Sequence, residues 1–106
     1  MPHDYVIALT TFGSSADADE AAGRLVGKGL AACVQILEIK SVYQWKNKIE
    51  KSPEFLLLIK TRKSLYPEVE KDINVNHPYD VPEIIMIPIE DGLPAYLTWM
   101  DGVLNM

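Results

Sequence analysis

The side chains best suited to chemistry are few, and none stands beside an obvious partner. His77, in the segment Asn76-His77-Pro78-Tyr79-Asp80-Val81-Pro82-Glu83, could bind a soft metal or titrate near neutral pH. A lone histidine at the end of a helix is more commonly structural, capping carbonyls beside a rigid Pro-Tyr turn. Cys33 could supply a thiolate, although a cysteine flanked by Ala31, Ala32 and Val34 more often packs as a small hydrophobe. His3 has the position of the imidazole in a copper-binding amino terminus, but Pro2 has no amide hydrogen, so that chelate cannot form. No His or Cys pair stands at CxxC or HxxxH spacing. Lys60, closing an otherwise apolar run, could meet an anion or pair with a carboxylate. Tyr43, Trp45 and Tyr79 could stack on a ligand or pack in an interface. Glu50, Glu54, Asp80 and Glu83 fall in segments that sequence alone cannot bring together, and they read as solvated charges. There is no glycine-rich phosphate loop and no serine elbow, so the expectation is a protein that is not an enzyme. Arg24 and Arg62 are the only arginines, which leaves an acylphosphatase-like phosphate cradle unprovided.

The element that must position these groups is residues 30–61, read as one long β-hairpin. Its arms are rich in β-branched and aromatic residues, and a charged turn at Lys46-Asn47-Lys48 divides them, with Asn47 as pivot. Each arm of about a dozen residues would reach about 40 Å at roughly 3.3 Å per residue. A chain of this length has a radius of gyration of only about 13 Å. The tip, with Tyr43, Trp45 and Ile49, should therefore project beyond its own core as an oligomerisation arm. Residues 55–59, continuously apolar, imply a central strand buried on both faces.

Around the hairpin, residues 5–11 read as a buried strand. Ser14 or Ser15 caps a first helix with Ala18, Ala22, Leu25 and Val26 inward and Gly29 as its stop. Ser64 is the expected cap of a second helix that has Pro67 in its first turn, packs Tyr66, Val69 and Ile73, and ends near Asn76. Residues 81–89 read as the last strand, with Pro88 at a sheet edge, and Pro94 opens a short C-terminal helix with Leu97, Met100 and Leu104 inward. The result is a single α+β domain over residues 1–106, a ferredoxin-like β-α-β-β-α-β sandwich with a long β-hairpin and a short C-terminal helix. That fold hosts many functions and selects none.

The 106 residues carry a formal net charge of −5, which excludes a phosphate-neutralising nucleic-acid surface. No apolar run approaches the roughly 20 residues of a membrane span. A single cysteine and an N-terminus without a basic leader fit a cytoplasmic protein.

The order and spacing of several motifs resemble the CutA divalent-cation tolerance family over nearly the whole chain. They are Leu30 to Val34, the series Ser41, Tyr43, Trp45, Ile49 and Glu50, then Glu54, Lys60-Thr61, His77 to Ile85, and Tyr96-Leu97 with Trp99. The resemblance implies a homotrimer of ferredoxin-like subunits built around long hairpins, and tolerance to copper and other divalent cations. It implies no required cofactor, with weak copper or other divalent-cation binding through His77 and a contribution from Cys33. Members credited with copper ligands have a cysteine near the end of the first strand and two adjacent histidines before Pro-Tyr; here stand Ala8-Leu9-Thr10-Thr11 and Asn76-His77. Asn47 stands where the family commonly has glycine. The architecture is also similar to trimeric PII-type signalling proteins. That likeness implies an inter-subunit cleft lined by Tyr43, Trp45, Glu50, Lys60, Tyr79 and Glu83, open to a small anionic ligand or a partner protein.

Overall fold

The computed structural model describes residues 4–105, so His3 lies outside the described residues. Four strands, β1 (Tyr5–Phe12), β2 (Cys33–Trp45), β3 (Lys48–Arg62) and β4 (Ile84–Pro88), form one antiparallel sheet in the order β2-β3-β1-β4. Helices α1 (Ser15–Gly27) and α2 (Tyr66–Asn76) follow β1 and β3, and α3 (Pro94–Val103) closes the chain. This is the ferredoxin-like arrangement with one added helix.

Alternation along the strands sets the layers. Ala8, Leu57 and Ile59 are buried against Ala18, Ala21 and Leu25 of α1 and Val69 and Ile73 of α2 in one core. The inward face of α1 is thus 18, 21 and 25; Ala22 is only half-buried and Val26 is exposed, lying one residue off that stripe. Ser14 caps α1 by accepting from the Asp17 N–H at 3.1 Å. Ser64 does not cap α2, because Lys63–Leu65 forms a 3-10 turn that runs straight into the helix and leaves Leu65 at its N-cap. α3 seals the end of the sheet where β1 begins: Asp101 accepts from the Tyr5 hydroxyl at 2.6 Å and from Arg62 Nη1 at 3.0 Å.

The opposite face of the sheet has no such cover. Register puts Leu9 beside Leu58 and Ile85, Ile7 beside Ile87, and Leu37 beside Leu56. Leu37, Ile85 and Ile87 are about half exposed. Residues 55–59 are therefore central, as expected, but deeply buried on the helix face alone.

The hairpin pairs without a break from Cys33 opposite Lys60 to Trp45 opposite Lys48. Pro53 is tolerated inside it for a specific reason. In a two-residue hairpin the closing pair, Trp45 and Lys48, is hydrogen-bonded, so alternate pairs are not, and Lys40 opposite Pro53 is one of these. The missing N–H faces the side of β3 that β1 has already left, since their pairing ends at Phe12 and Phe55. The molecule measures 44 × 25 × 22 Å, and Val42, Trp45 and Ile49 near the tip are exposed. Both turn residues have positive φ, 50° at Lys46 and 66° at Asn47. A lysine in that conformation is strained, so Lys46→Asn with Asn47→Gly is expected to stabilise the fold by about 1 kcal/mol, read as a higher urea midpoint at unchanged slope.

The last strand is shorter than residues 81–89. Pro82 has no N–H to give a ladder, and residues 77–83 instead bend across the end of β1, carrying His77 and Tyr79 to the sheet. Pro88 closes β4 at the sheet edge.

Candidate functional site

His77 terminates α2 in an extended conformation, where Pro78 forbids a further helical turn. Its Nε2 lies 2.7 Å from the Thr11 carbonyl oxygen, which can only accept, and its Nδ1 takes the Tyr79 N–H at 3.1 Å. Those partners fix a neutral ring protonated on Nε2. The ring also stacks on Phe12, centroids 4.3 Å apart. His77 thus fastens the α2 exit to the end of β1, holding Thr11's carbonyl rather than a helix carbonyl.

Cys33 is half-buried at the start of β2, opposite Lys60, with the Tyr96 phenol beside it. Lys60 pairs with Ile7, four residues along β1 from the Thr11 that His77 holds, roughly 13 Å at strand spacing. The two expected ligands are therefore not brought together. Both nitrogens of His77 are already bonded, so the pair does not fit a metal centre within one chain. Among the described residues, no three of His, Cys, Asp and Glu gather where a metal could be held.

Tyr43, Trp45, Tyr79 and Glu83 do share a place. They line a groove of about 590 Å³ between the distal half of the hairpin and residues 79–83, together with Thr11, Ser41, Val42, Glu54, Asp80 and Val81. Glu50 sits opposite Tyr43 on β3 without lining it, and Lys60, ten residues farther along that strand, gives its ammonium to Gln35 Oε1 at 2.7 Å. Glu54 is the residue that sequence reading took for a solvated charge. Although charged, it is only 8% exposed, and its Oε2 accepts from the Tyr79 hydroxyl at 2.8 Å. Its signal lay in parity: Glu54 shares a face of β3 with Leu56 and Leu58, so its carboxylate follows an apolar row. Burial, then the hydrogen bond to Glu54, push the Tyr79 phenol up to about 12. Gly13 makes room for it, since a Cβ there would lie 3.0 Å from the Tyr79 oxygen.

The sequence model described as CutA1 divalent ion tolerance protein matches residues 6–103. The chain belongs to the CutA1 family. It is 44% identical over 99 residues to the divalent-cation tolerance protein CutA of Archaeoglobus fulgidus, covering 93% of this chain and 95% of that protein. Protein CutA of Mus musculus is 41% identical over 104 residues, 97% of this chain; the chain spans only 59% of that relative's length. The solved structure of the A. fulgidus protein, described as periplasmic, superposes with a TM-score of 0.93 at 40% identity over 95% of this chain and 99% of that one. The CutA1 structure from Oryza sativa gives 0.94 at 36% identity over 98% and 96%. These CutA relatives are named for tolerance or for the family, not as enzymes. Among the described residues no helix is long and apolar enough to cross a membrane.

Proposed function

We propose that the chain serves divalent-cation tolerance as a non-enzymatic homotrimer in which the hairpin and the uncovered sheet face are buried between subunits. The observation that carries this reading is the apolar face itself. Leu9, Leu58 and Ile85 stand in one row across the sheet, and β2 leaves 13 residues of free edge beside them, a surface that soluble proteins cover. Light scattering after size exclusion, at micromolar concentration, is expected to give three times the 11.9 kDa of one chain. A monomer mass would overturn the reading. Copper contact, in this reading, is weak and uses one imidazole that must first release the Tyr79 N–H. Calorimetric titration with Cu(II) tests that contact, and heats unchanged in His77→Ala remove His77 from it. Among the described residues of one chain no Lys or Arg lines the groove, which favours this reading over a small anionic ligand there.

A further inference from the structure

The groove by the hairpin presents a carboxylate in an unusual state. Glu54 is more than nine-tenths buried, yet among the described residues no Lys, Arg or His lies within ion-pair distance of it. The one hydrogen-bond partner of its side chain is the Tyr79 hydroxyl, a neutral donor whose pKa burial and then Glu54 push up to about 12. Buried carboxylates in proteins are ordinarily paired with a cation, because a neutral donor offsets only part of the lost hydration. Here the space beside Glu54 is open, about 590 Å³, within the range of small-molecule sites. Its walls are three aromatic rings, Tyr43, Trp45 and Tyr79, with Asp80 and Glu83 at the rim and, among the described residues, no positive side chain. Aromatic faces attract cations, and they also pack on an aliphatic stem.

We propose that this groove binds a small organic cation, an alkylammonium or alkylguanidinium, whose charge meets Glu54 and whose stem lies against Tyr43, Trp45 and Tyr79. The carboxylates at Asp80 and Glu83 raise its local concentration and take a second charged end where the ligand carries one. The groove lies beside the surface that the trimer reading buries, although its lining residues belong to one chain, so ligand binding and oligomer mass are read separately. A bare divalent ion is the poorer occupant: the carboxylates do not converge on one point, and aromatic walls offer it no oxygen ligands.

Trp45 reports directly on occupancy. In a Trp99→Phe background it is the remaining tryptophan, and its emission can be followed while agmatine is added at constant ionic strength. A saturable change is expected, with half-saturation raised roughly tenfold or more in Glu54→Gln, since a charge-assisted hydrogen bond is lost. Gln keeps the shape and still accepts from Tyr79, so folding is retained; Glu83→Gln, at the exposed rim, gives a smaller rise and checks the direction without touching the buried position. Four results overturn the proposal. They are a change that never saturates up to about 10 mM, an affinity indifferent to Glu54→Gln, the same response to glutarate, and a saturable response to Mg²⁺ or Mn²⁺ that depends on Glu54. A lysine of a second copy already filling the groove is distinguished by mass: agmatine then changes nothing, while Glu54→Gln lowers the oligomer mass. That outcome overturns it as well.

Discussion

Gly29→Ala is expected to lower the unfolding free energy by about 2 to 4 kcal/mol, read from the urea midpoint. Two independent costs add at this residue. Gly29 has φ +71°, and it ends α1 in a Schellman motif: the Leu30 N–H donates to the Leu25 carbonyl and the Gly29 N–H to the Val26 carbonyl, both at 3.0 Å. An L side chain in that conformation costs roughly 1–2 kcal/mol. The second cost is steric. The Gly29 carbonyl accepts from the Asn105 N–H at 2.8 Å, so the C-terminal segment lies directly on the turn. A Cβ on Gly29 would come within 2.6 Å of Asn105 Cβ and 3.1 Å of its backbone nitrogen, atoms that cannot swing away like the end of a flexible chain. Relieving the overlap means lifting the segment that carries Leu104 into the core. Gly23→Ala is the control. That helical position has nothing within 4 Å of the added carbon, so alanine there is expected to stabilise by about 0.5–1 kcal/mol. Equal losses at both glycines would show that the φ of Gly29 and the contact with Asn105 do not matter.

Gly29 was legible as a stop because helix termination is local chemistry, and the hairpin was legible for a similar reason. A run of alternating β-branched and aromatic residues with one turn-tolerant asparagine has few other ways to fold. What failed was also local in appearance but decided elsewhere. Ser64 has the side chain of a cap, yet the 3-10 turn leaves Leu65 at the N-cap. Residues 81–83 adjoin an apolar run, yet Pro82 and the hydrogen bonds of His77 to β1 and Tyr79 to β3 keep them out of the sheet. The aromatic wall of the groove was named through the family resemblance, and Tyr43 and Trp45 reach it together because alternate residues of one strand share a face. Glu54 could not be paired with Tyr79, 25 residues away, because no periodicity links them. Lys60 shares a strand with Glu54 but lies six residues along it, so strand geometry sets the two roughly 20 Å apart within one chain.

Asp72 is a stronger case of a residue whose role only the fold reveals, and its removal is the second large effect. Its side chain is 5% exposed on α2, where Oδ1 takes Arg24 Nε at 2.8 Å and Oδ2 takes Lys28 Nζ at 2.7 Å, both from α1. One carboxylate thus pins the two helices together over a sequence gap of 44 to 48 residues. Asp72→Ala is expected to cost about 2 kcal/mol at pH 7. Deleting one partner of a fully buried pair costs more than that. Here Lys28 is 56% exposed and returns to water, and Arg24, 20% exposed, still has Glu20 at 3.8 Å, so the charges left behind are not stranded. Acid adds a test with a defined sign. Burial alone would raise the Asp72 carboxyl, but the hydrogen bonds and charges of Lys28 and Arg24 outweigh it and hold the group below its ordinary 3.8. A depressed value in the folded state means that the unfolded chain binds this proton first as the pH falls. The contribution is therefore complete above about pH 4 and is lost as the pH drops through the folded value. Urea midpoints of the parent and Asp72→Ala should differ fully at pH 7 and converge once the pH has fallen below the folded value. A gap that persists unchanged into acid would mean that the aspartate acts through packing rather than charge, and the clamp between α1 and α2 would have to be reassigned to the apolar contacts beneath it.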